Sequence, residues 1–111
     1  MPVQVILTQK GPLPISVTFN PPGDMPAILE VNGSVWTQTA NQMIGIQVAL
    51  DGTNLGQANI FSNGASTHRA VVPAYFKVQL KYGAQYKLVL SAAPGTTVSD
   101  VNDFFTAVIH Y

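Results

Sequence analysis

Residues 43–52 read MIGIQVALDG, and this stretch decides the class of fold. Large apolar side chains occupy every second position, at Ile44, Ile46, Val48 and Leu50. Because successive side chains of a β-strand point to opposite faces, the alternation predicts a strand with one buried face. The Asp51-Gly52 pair that follows supplies residues that adopt positive φ, as a tight hairpin turn requires. The stretch therefore predicts a core strand followed by a hairpin.

Similar turn-forming residue pairs recur along the chain at short intervals. Turn sequences occur at Gly11-Pro12, 21–24, Asn32-Gly33, Asp51-Gly52, Asn63-Gly64, Tyr82-Gly83 and Pro94-Gly95. Segments rich in β-branched and aromatic residues lie between them, at 3–8, 15–19, 27–31, 35–37, 44–50, 57–60, 75–80, 86–91 and 104–111. They predict about eight or nine short strands. No window keeps helical spacing over three turns, so we expect an all-β, two-sheet antiparallel sandwich without significant helix.

Length and composition limit the function classes. The 111 residues suit one domain with one core, so we expect residues 1–111 to form a single unit. Only 9% of the residues are charged and the formal net charge is zero. No basic cluster indicates nucleic-acid binding, and a surface so poor in charge favours self-association. Cysteine is absent, which excludes disulfides and thiolate metal sites.

Targeting signals are not apparent in this sequence. Residues 1–10 lack the basic, apolar and small-residue regions of a secretory signal, and no apolar run approaches the roughly 18–20 residues of a membrane span. We therefore expect a soluble protein without a membrane span. Its compartment stays unknown, and a secreted or surface-associated location is compatible with the sequence.

The last predicted strand, 104–111, carries apolar side chains on both alternating sets. One face of a sandwich strand normally meets water, so a doubly apolar strand needs either a central position or a partner chain. Both readings stay open. For the partner-chain reading, the interface would use the aromatic anchors and the valine of the late strands, Tyr75, Tyr86, Phe104, Val108 and Tyr111.

Several segments of the C-terminal half resemble a known family. They are 51–56 (DGTNLG), 63–69 (NGASTHR), 71–73 (VVP), 86–90 (YKLVL) and 100–105 (DVNDFF). Over roughly residues 42–111 the chain resembles the jelly-roll domains of the tumour necrosis factor and complement globular-head superfamily, including its small bacterial members. The resemblance implies a jelly-roll sandwich and a homotrimer, with the late aromatic residues near the threefold axis. Some bacterial domains of this fold bind sugars.

Catalytic and metal chemistry finds little support. Asp24 and Asp51 fall in turn sequences, where a carboxylate usually accepts local backbone N–H groups. The pair Asp100 and Asp103 could hold a cation with the Asn102 carbonyl, but a hydrogen-bonded turn is favoured because few carboxylates are available. We therefore predict no metal and no other cofactor.

The two histidines also indicate no catalytic site. His68 lies close to Ser66 in sequence without an obvious orienting acid, and a two-residue spacing in a loop gives no directed geometry for attack, so a serine hydrolase is rejected. His110 could meet its copies on a threefold axis to bind zinc, although an ordinary packed imidazole is favoured. We therefore predict that the protein is not an enzyme.

Carbohydrate recognition is the leading specific hypothesis. A sugar site combines an aromatic platform with polar groups that bond to hydroxyls. Trp36 lies among polar residues at 37–39 and 41–42, and the loop 63–69 supplies a second polar cluster; either could serve. The predicted ligand-binding residues are Trp36, Asn41, Asn63, His68 and Arg69. We therefore expect a non-catalytic, lectin-like homotrimer with a possible glycan partner. The alternative is a purely structural trimerising head or appendage domain without a small ligand.

Overall fold

A computed structural model describes residues 2–111, which form ten strands and no helix. The strands are β1 (Val3–Lys10), β2 (Ile15–Phe19), β3 (Met25–Thr37), β4 (Gln42–Leu50), β5 (Thr53–Ser62), β6 (Arg69–Ala70), β7 (Ala74–Leu80), β8 (Tyr86–Ala92), β9 (Thr97–Val98) and β10 (Phe104–His110). All strand pairs are antiparallel. The all-β prediction is confirmed. No helix within residues 2–111 has the length and apolar character needed to cross a bilayer.

Two sheets pack face to face. The first has the order β1-β10-β3-β7, and the short strands β6 and β9 pair with the last residues of β3. The second has the order β2-β8-β4-β5. Strands from the early and late parts of the chain alternate in the first sheet, and in the second the late strand β8 lies between β2 and β4, which is the arrangement of a jelly roll. The predicted two-sheet jelly-roll sandwich is therefore confirmed.

The core forms where the inward-facing residues of the two sheets meet. The four alternating residues of β4 that predicted the fold are all buried, as are Phe105, Ala107 and Ile109 of β10. Phe105 packs directly over Gly33, where an added Cβ would lie 2.5 Å from its ring. A side chain at position 33 would therefore displace the largest buried residue of the core.

The turn predicted at Asn32-Gly33 is wrong. These residues lie inside β3, which runs without interruption through both predicted strands. Gly33 pairs with Phe105, and its carbonyl accepts a bond from Val71 N at 2.9 Å. Glycine is needed here because the Phe105 side chain approaches the backbone closely, and not because the chain turns. Close approach is a second reason for a glycine inside a strand.

The other predicted turns lie between strands. Asp51 and Gly52 both have positive φ, at 49° and 82°, as the hairpin prediction requires. The carboxylates of the two turn aspartates, Asp51 and Asp24, do not bond to local backbone N–H groups, however. Asp51 Oδ1 accepts from Lys87 N at 2.7 Å, and Asp24 Oδ1 accepts from Tyr82 N at 2.6 Å. The two carboxylates therefore join separate turns, because the fold brings distant backbone donors to them.

The predicted interface residues divide between different surfaces. Phe104 and Val108 point outward from β10, and Tyr75 lies opposite Glu30 on the same outer face of the first sheet. Tyr86 instead stacks on Phe19, with ring centroids 5.7 Å apart, in the other sheet. Tyr111 is half-buried against the core. The outer face of the first sheet therefore holds three of the five residues.

The position of β10 accounts for its apolar faces only in part. It lies between β1 and β3, so both of its edges are paired. Its inward set is buried, whereas outward Phe104 remains 45% exposed. Val3 and Val5 of β1 lie beside His110 and Val108 and are exposed as well. A central place in the sheet therefore does not cover the outer apolar residues.

Candidate functional site

Five of the loops gather at one end of the sandwich, here called the loop end. It comprises residues 11–14, 38–41, 63–68, 93–96 and 99–103. The loop 63–68 is held to β3 by a 2.7 Å bond from Ser66 N to the Thr37 carbonyl. The loop 11–14 is held to 99–103 by bonds from Gly11 N to Asp103 O and from Leu13 N to Ser99 Oγ. These contacts bring side chains from distant parts of the sequence together.

His68 and Asp103 form the best-defined polar contact at the loop end. His68 Nδ1 lies 2.7 Å from Asp103 Oδ1. A carboxylate only accepts hydrogen bonds, so His68 Nδ1 carries the hydrogen. The side chain of Asp103 is fully buried, whereas that of His68 is 37% exposed. The buried acid therefore orients an imidazole whose other edge faces solvent.

Asp103 is held by more than this imidazole. Its Oδ1 also accepts from Ser34 Oγ at 2.9 Å, and its Oδ2 accepts from Asp100 N at 2.8 Å. A carboxylate withdrawn from water needs such donors to offset its lost hydration. The Asp103 carboxylate is therefore the structural centre of the loop end, with three donors from three separate segments.

The surroundings of His68 favour its charged form. The hydrogen bond to Asp103 raises the pKa of the imidazole above its ordinary value, although partial burial acts in the opposite direction. The negative charges of Asp103 and Asp100 raise the pKa further. His68 is consequently a hydrogen-bond donor at both nitrogens over a wider pH range than a free histidine.

The solvent-facing groups of the site are a donor and an acceptor placed side by side. His68 Nε2 lies 3.8 Å from Asp100 Oδ2. Asp100 Oδ1 is occupied by Asn102 N at 2.8 Å, which forms the hydrogen-bonded turn favoured by the sequence. Trp36 contacts the imidazole, with ring centroids 5.7 Å apart and planes tilted by 40°. The arrangement combines an aromatic surface with adjacent polar groups.

Within residues 2–111, the side chains that could hold a metal ion are those of His68, Asp100 and Asp103. One ligand atom from each of His68, Asp100 and Asp103 lies within 4.8 Å of the others. The Asp103 carboxylate, however, already accepts three hydrogen bonds, and His68 Nδ1 is used by one of them. Only His68 Nε2 and Asp100 Oδ2 remain uncommitted. Two ligands fall short of the three or four that protein zinc sites use.

The structure gathers the predicted ligand-binding residues only in part. Trp36 and His68 are in contact. Asn41 and Asn63 adjoin the paired residues Gln42 and Ser62, so they occupy facing loops at the same end. Arg69 lies opposite Val35 and shares its inward face, with Nε buried and without a partner among residues 2–111. Arg69 is therefore separated from the Trp36 surface by the backbone of β3.

Sequence reasoning missed the acid that orients His68. Asp103 lies 35 residues further along the chain, and no local spacing connects the two. The expectation that no acid orients His68 was therefore wrong, whereas the second ground for rejecting Ser66, the undirected geometry of a two-residue spacing in a loop, is unaffected. The acid exists, but the hydroxyl that shares it belongs to Ser34, which donates to Asp103 and not to His68.

Fold and site together define a non-helical jelly-roll domain with a polar aromatic site in its loops. No protein-family model and no curated protein matches this sequence. Among solved structures, the chain is similar to the C-terminal domain of EclA, described as a sugar-binding protein, with a TM-score of 0.51 and 16% identity. That match covers 93% of this chain and 69% of the EclA chain. At this identity the likeness concerns the fold.

Two carbohydrate-binding modules match with lower TM-scores. CBM36 in complex with calcium and xylotriose has a TM-score of 0.46 and 11% identity, covering 99% of this chain and 87% of that one. The CBM36-1 domain of a multidomain xylanase from the hindgut metagenome of Trinervitermes trinervoides has a TM-score of 0.45 and 12% identity. Its match covers 99% of this chain and 98% of that domain.

Proposed function

We propose that this chain is a non-catalytic carbohydrate-binding domain whose ligand contacts the loop end. The observation that carries the proposal is the pair of adjacent solvent-facing groups, His68 Nε2 and Asp100 Oδ2, 3.8 Å apart beside Trp36. Neighbouring sugar hydroxyls each donate and accept hydrogen bonds, so a donor next to an acceptor complements them. The structural likeness to the sugar-binding EclA domain is compatible with this function.

The proposed binding mode uses rigid groups. Asp103 is buried and fixes the imidazole plane, so His68 loses little conformational freedom when a ligand binds. Trp36 offers apolar contact to the C–H face of a sugar ring. Asn41 and Asn63 lie in the adjoining loops and would contact further sugar residues, while inward Arg69 would act only by supporting β3 and β6. The specificity therefore centres on His68 and Asp100.

The absence of catalysis is part of the proposal. A hydrolase of the serine type needs a nucleophile bonded to the histidine. The Ser34 hydroxyl bonds to Asp103 instead, and no hydroxyl donates to His68 within residues 2–111. Binding without turnover agrees with this arrangement.

The homotrimer and the relationship to the tumour necrosis factor and complement globular-head superfamily belong to the same proposal. They are supported by the jelly-roll strand order and by the exposed apolar residues on the outer face of the first sheet. Phe104, Val108 and Tyr75 would form the interface, because apolar and aromatic groups dominate interface energetics. Tyr86 and Tyr111, which lie elsewhere, would not contribute to it.

Sugar binding is tested with a glycan array followed by titration of the best-scoring glycan, using the fluorescence of the single tryptophan. We expect His68→Gln and Asp100→Asn each to weaken binding about 10-fold, the loss of roughly one charge-assisted hydrogen bond. Lys87→Gln, on the other sheet, should leave affinity unchanged. An array without a responding glycan would contradict the proposal and favour the structural head or appendage domain.

Assembly is tested separately by light scattering coupled to size exclusion. We expect a mass of three chains, and Val108→Asp should reduce it to one by placing a charge in an apolar contact. Lys87→Asp, on the other sheet, serves as the control. A wild-type protein of single-chain mass would refute the homotrimer while leaving sugar binding open.

A further inference from the structure

A cavity of about 540 Å³ lies at the other end of the first sheet from Trp36 and His68. It is lined chiefly by Pro26, Ile28, Lys77, Gln79, His110 and Tyr111, and is here called the Tyr111 groove. Along β3, the eight residue steps from Ile28 to Trp36 correspond to roughly 26 Å of extended strand. The groove is therefore separate from the proposed site at the loop end, and its volume falls in the range of small-ligand pockets.

Strand register explains how the groove is built. Ile28 of β3 lies directly between His110 of β10 and Lys77 of β7. Directly opposed residues of antiparallel strands project to the same face, so an apolar side chain forms the floor between two nitrogen-bearing ones. Tyr111 and Pro26 extend the apolar lining at one end. This combination suits an amphipathic ring rather than a purely apolar molecule.

The polar groups of the groove have free hydrogen-bonding capacity. His110 Nε2 lies 2.7 Å from Glu30 Oε1, so it donates to that carboxylate and leaves Nδ1 facing other partners. The Gln79 amide nitrogen makes only a 3.5 Å contact with the Leu80 carbonyl. Within residues 2–111, no carboxylate lies within 4 Å of the Lys77 ammonium. The groove thus presents an ammonium group without a direct ion-pair partner; Glu30 keeps its negative charge but bonds to His110 and is not part of the lining.

We propose that the Tyr111 groove binds an acidic monosaccharide unit, with the sugar ring on Ile28 and Tyr111 and its carboxylate on Lys77. Gln79 and His110 Nδ1 would bond to ring hydroxyls, since they supply a donor and an acceptor. The positive charge selects a carboxylated sugar over its neutral counterpart because charge-assisted hydrogen bonds are stronger than neutral ones. The inference rests on the proposed function only in taking a sugar as ligand; it concerns a different site and a different substrate class.

The test uses amide and side-chain NMR shifts of the full chain during titration with D-glucuronate, D-galacturonate and the neutral sugars D-glucose and D-galactose. We expect the uronates to shift resonances of Lys77, Gln79, His110 and Tyr111, with neutral sugars binding at least 10-fold more weakly. Lys77→Gln should remove this preference, and the matched Lys87→Gln variant on the other sheet should keep it. Tyr111→Leu should weaken uronate and neutral sugar alike.

The outcomes separate this site from the loop end. Uronate-induced shifts confined to Trp36, His68 and Asp100 would overturn the groove proposal and support the proposed function. Shifts at the groove without any response at the loop end would support the groove and leave the proposed function to the glycan array. Equal binding of uronates by wild type and Lys77→Gln would also overturn the proposal.

Discussion

Two histidine–carboxylate pairs of the same length occupy opposite ends of the first sheet. His68 and Asp103 are 2.7 Å apart, as are His110 and Glu30. Asp103 is fully buried and accepts two further hydrogen bonds, whereas the Glu30 and His110 side chains are each 28% exposed. A short distance therefore does not determine what a pair contributes. Burial and the number of additional partners do, because water can replace a lost partner only at the exposed pair.

The largest expected effect is that of removing the buried charge. Asp103→Asn places an amide where three donors converge, so at least one donor faces another N–H and loses its acceptor. We expect a loss of about 2–4 kcal/mol in the free energy of unfolding, measured by urea denaturation. Asn102→Ala, an exposed neighbour, is the control. A loss no greater than that of Glu30→Gln would remove the distinction between the two pairs.

A smaller effect is expected from one donor of the buried acid. Ser34→Ala removes the 2.9 Å bond to Asp103 Oδ1 and leaves the other two donors in place. The expected loss is about 1 kcal/mol by the same denaturation assay. Ser16→Ala, at an exposed position of β2, should leave stability unchanged. A neutral Ser34→Ala variant would mean that two donors suffice for Asp103.

The pH dependence of stability reports on His68. Because folding raises the pKa of His68, the folded chain binds its proton more tightly than the unfolded chain. This contribution is complete below the unfolded pKa of about 6.5 and is lost as pH rises through the higher folded pKa. We expect wild type to lose stability relative to His68→Gln above about pH 6.5, in urea series at several pH values. A difference between the two that stays constant with pH would contradict this sign.

The smallest effect is expected at the exposed pair. Glu30→Gln retains a side-chain oxygen that can accept from His110 Nε2, and the site is partly hydrated. The cost in stability should stay below about 1 kcal/mol. Lowering the salt concentration should increase this loss in the free energy of unfolding only slightly, since only one charge-assisted bond is involved. A loss equal to that of Asp103→Asn would show that water does not reach this pair. Assembly of chains on the outer face would have that effect.

Local sequence patterns predicted the parts of the fold that depend on local physics. The alternation at 43–50 identified β4, and Asp51-Gly52 identified its hairpin, because side-chain direction and positive φ are properties of neighbouring residues. The pattern misled at Asn32-Gly33. There the glycine serves the close approach of Phe105, a residue that no local window connects with position 33.

The sequence predicted which residue types could form the candidate site, but not which of them meet in space. The sequence offered the Trp36 segment and the loop 63–69 as two alternative clusters; the fold brings Trp36 into contact with His68, while Arg69 lies on the inner face of the neighbouring strand. Asp103 was considered for a cation and not as the partner of His68. The Tyr111 groove had no counterpart in the sequence analysis, since its lining comes from three strands that are distant along the chain.

The sequence by itself determined the class of this protein: a chain of short alternating strands, with only 9% charged residues and no cysteine, buries its apolar side chains by packing sheet against sheet. Tertiary structure alone decided which polar groups meet. His68 with Asp103, and Ile28 between His110 and Lys77, are consequences of strand register and loop contact. Such pairings depend on how distant segments pack, and the periodicity of a single strand carries no information about its partner.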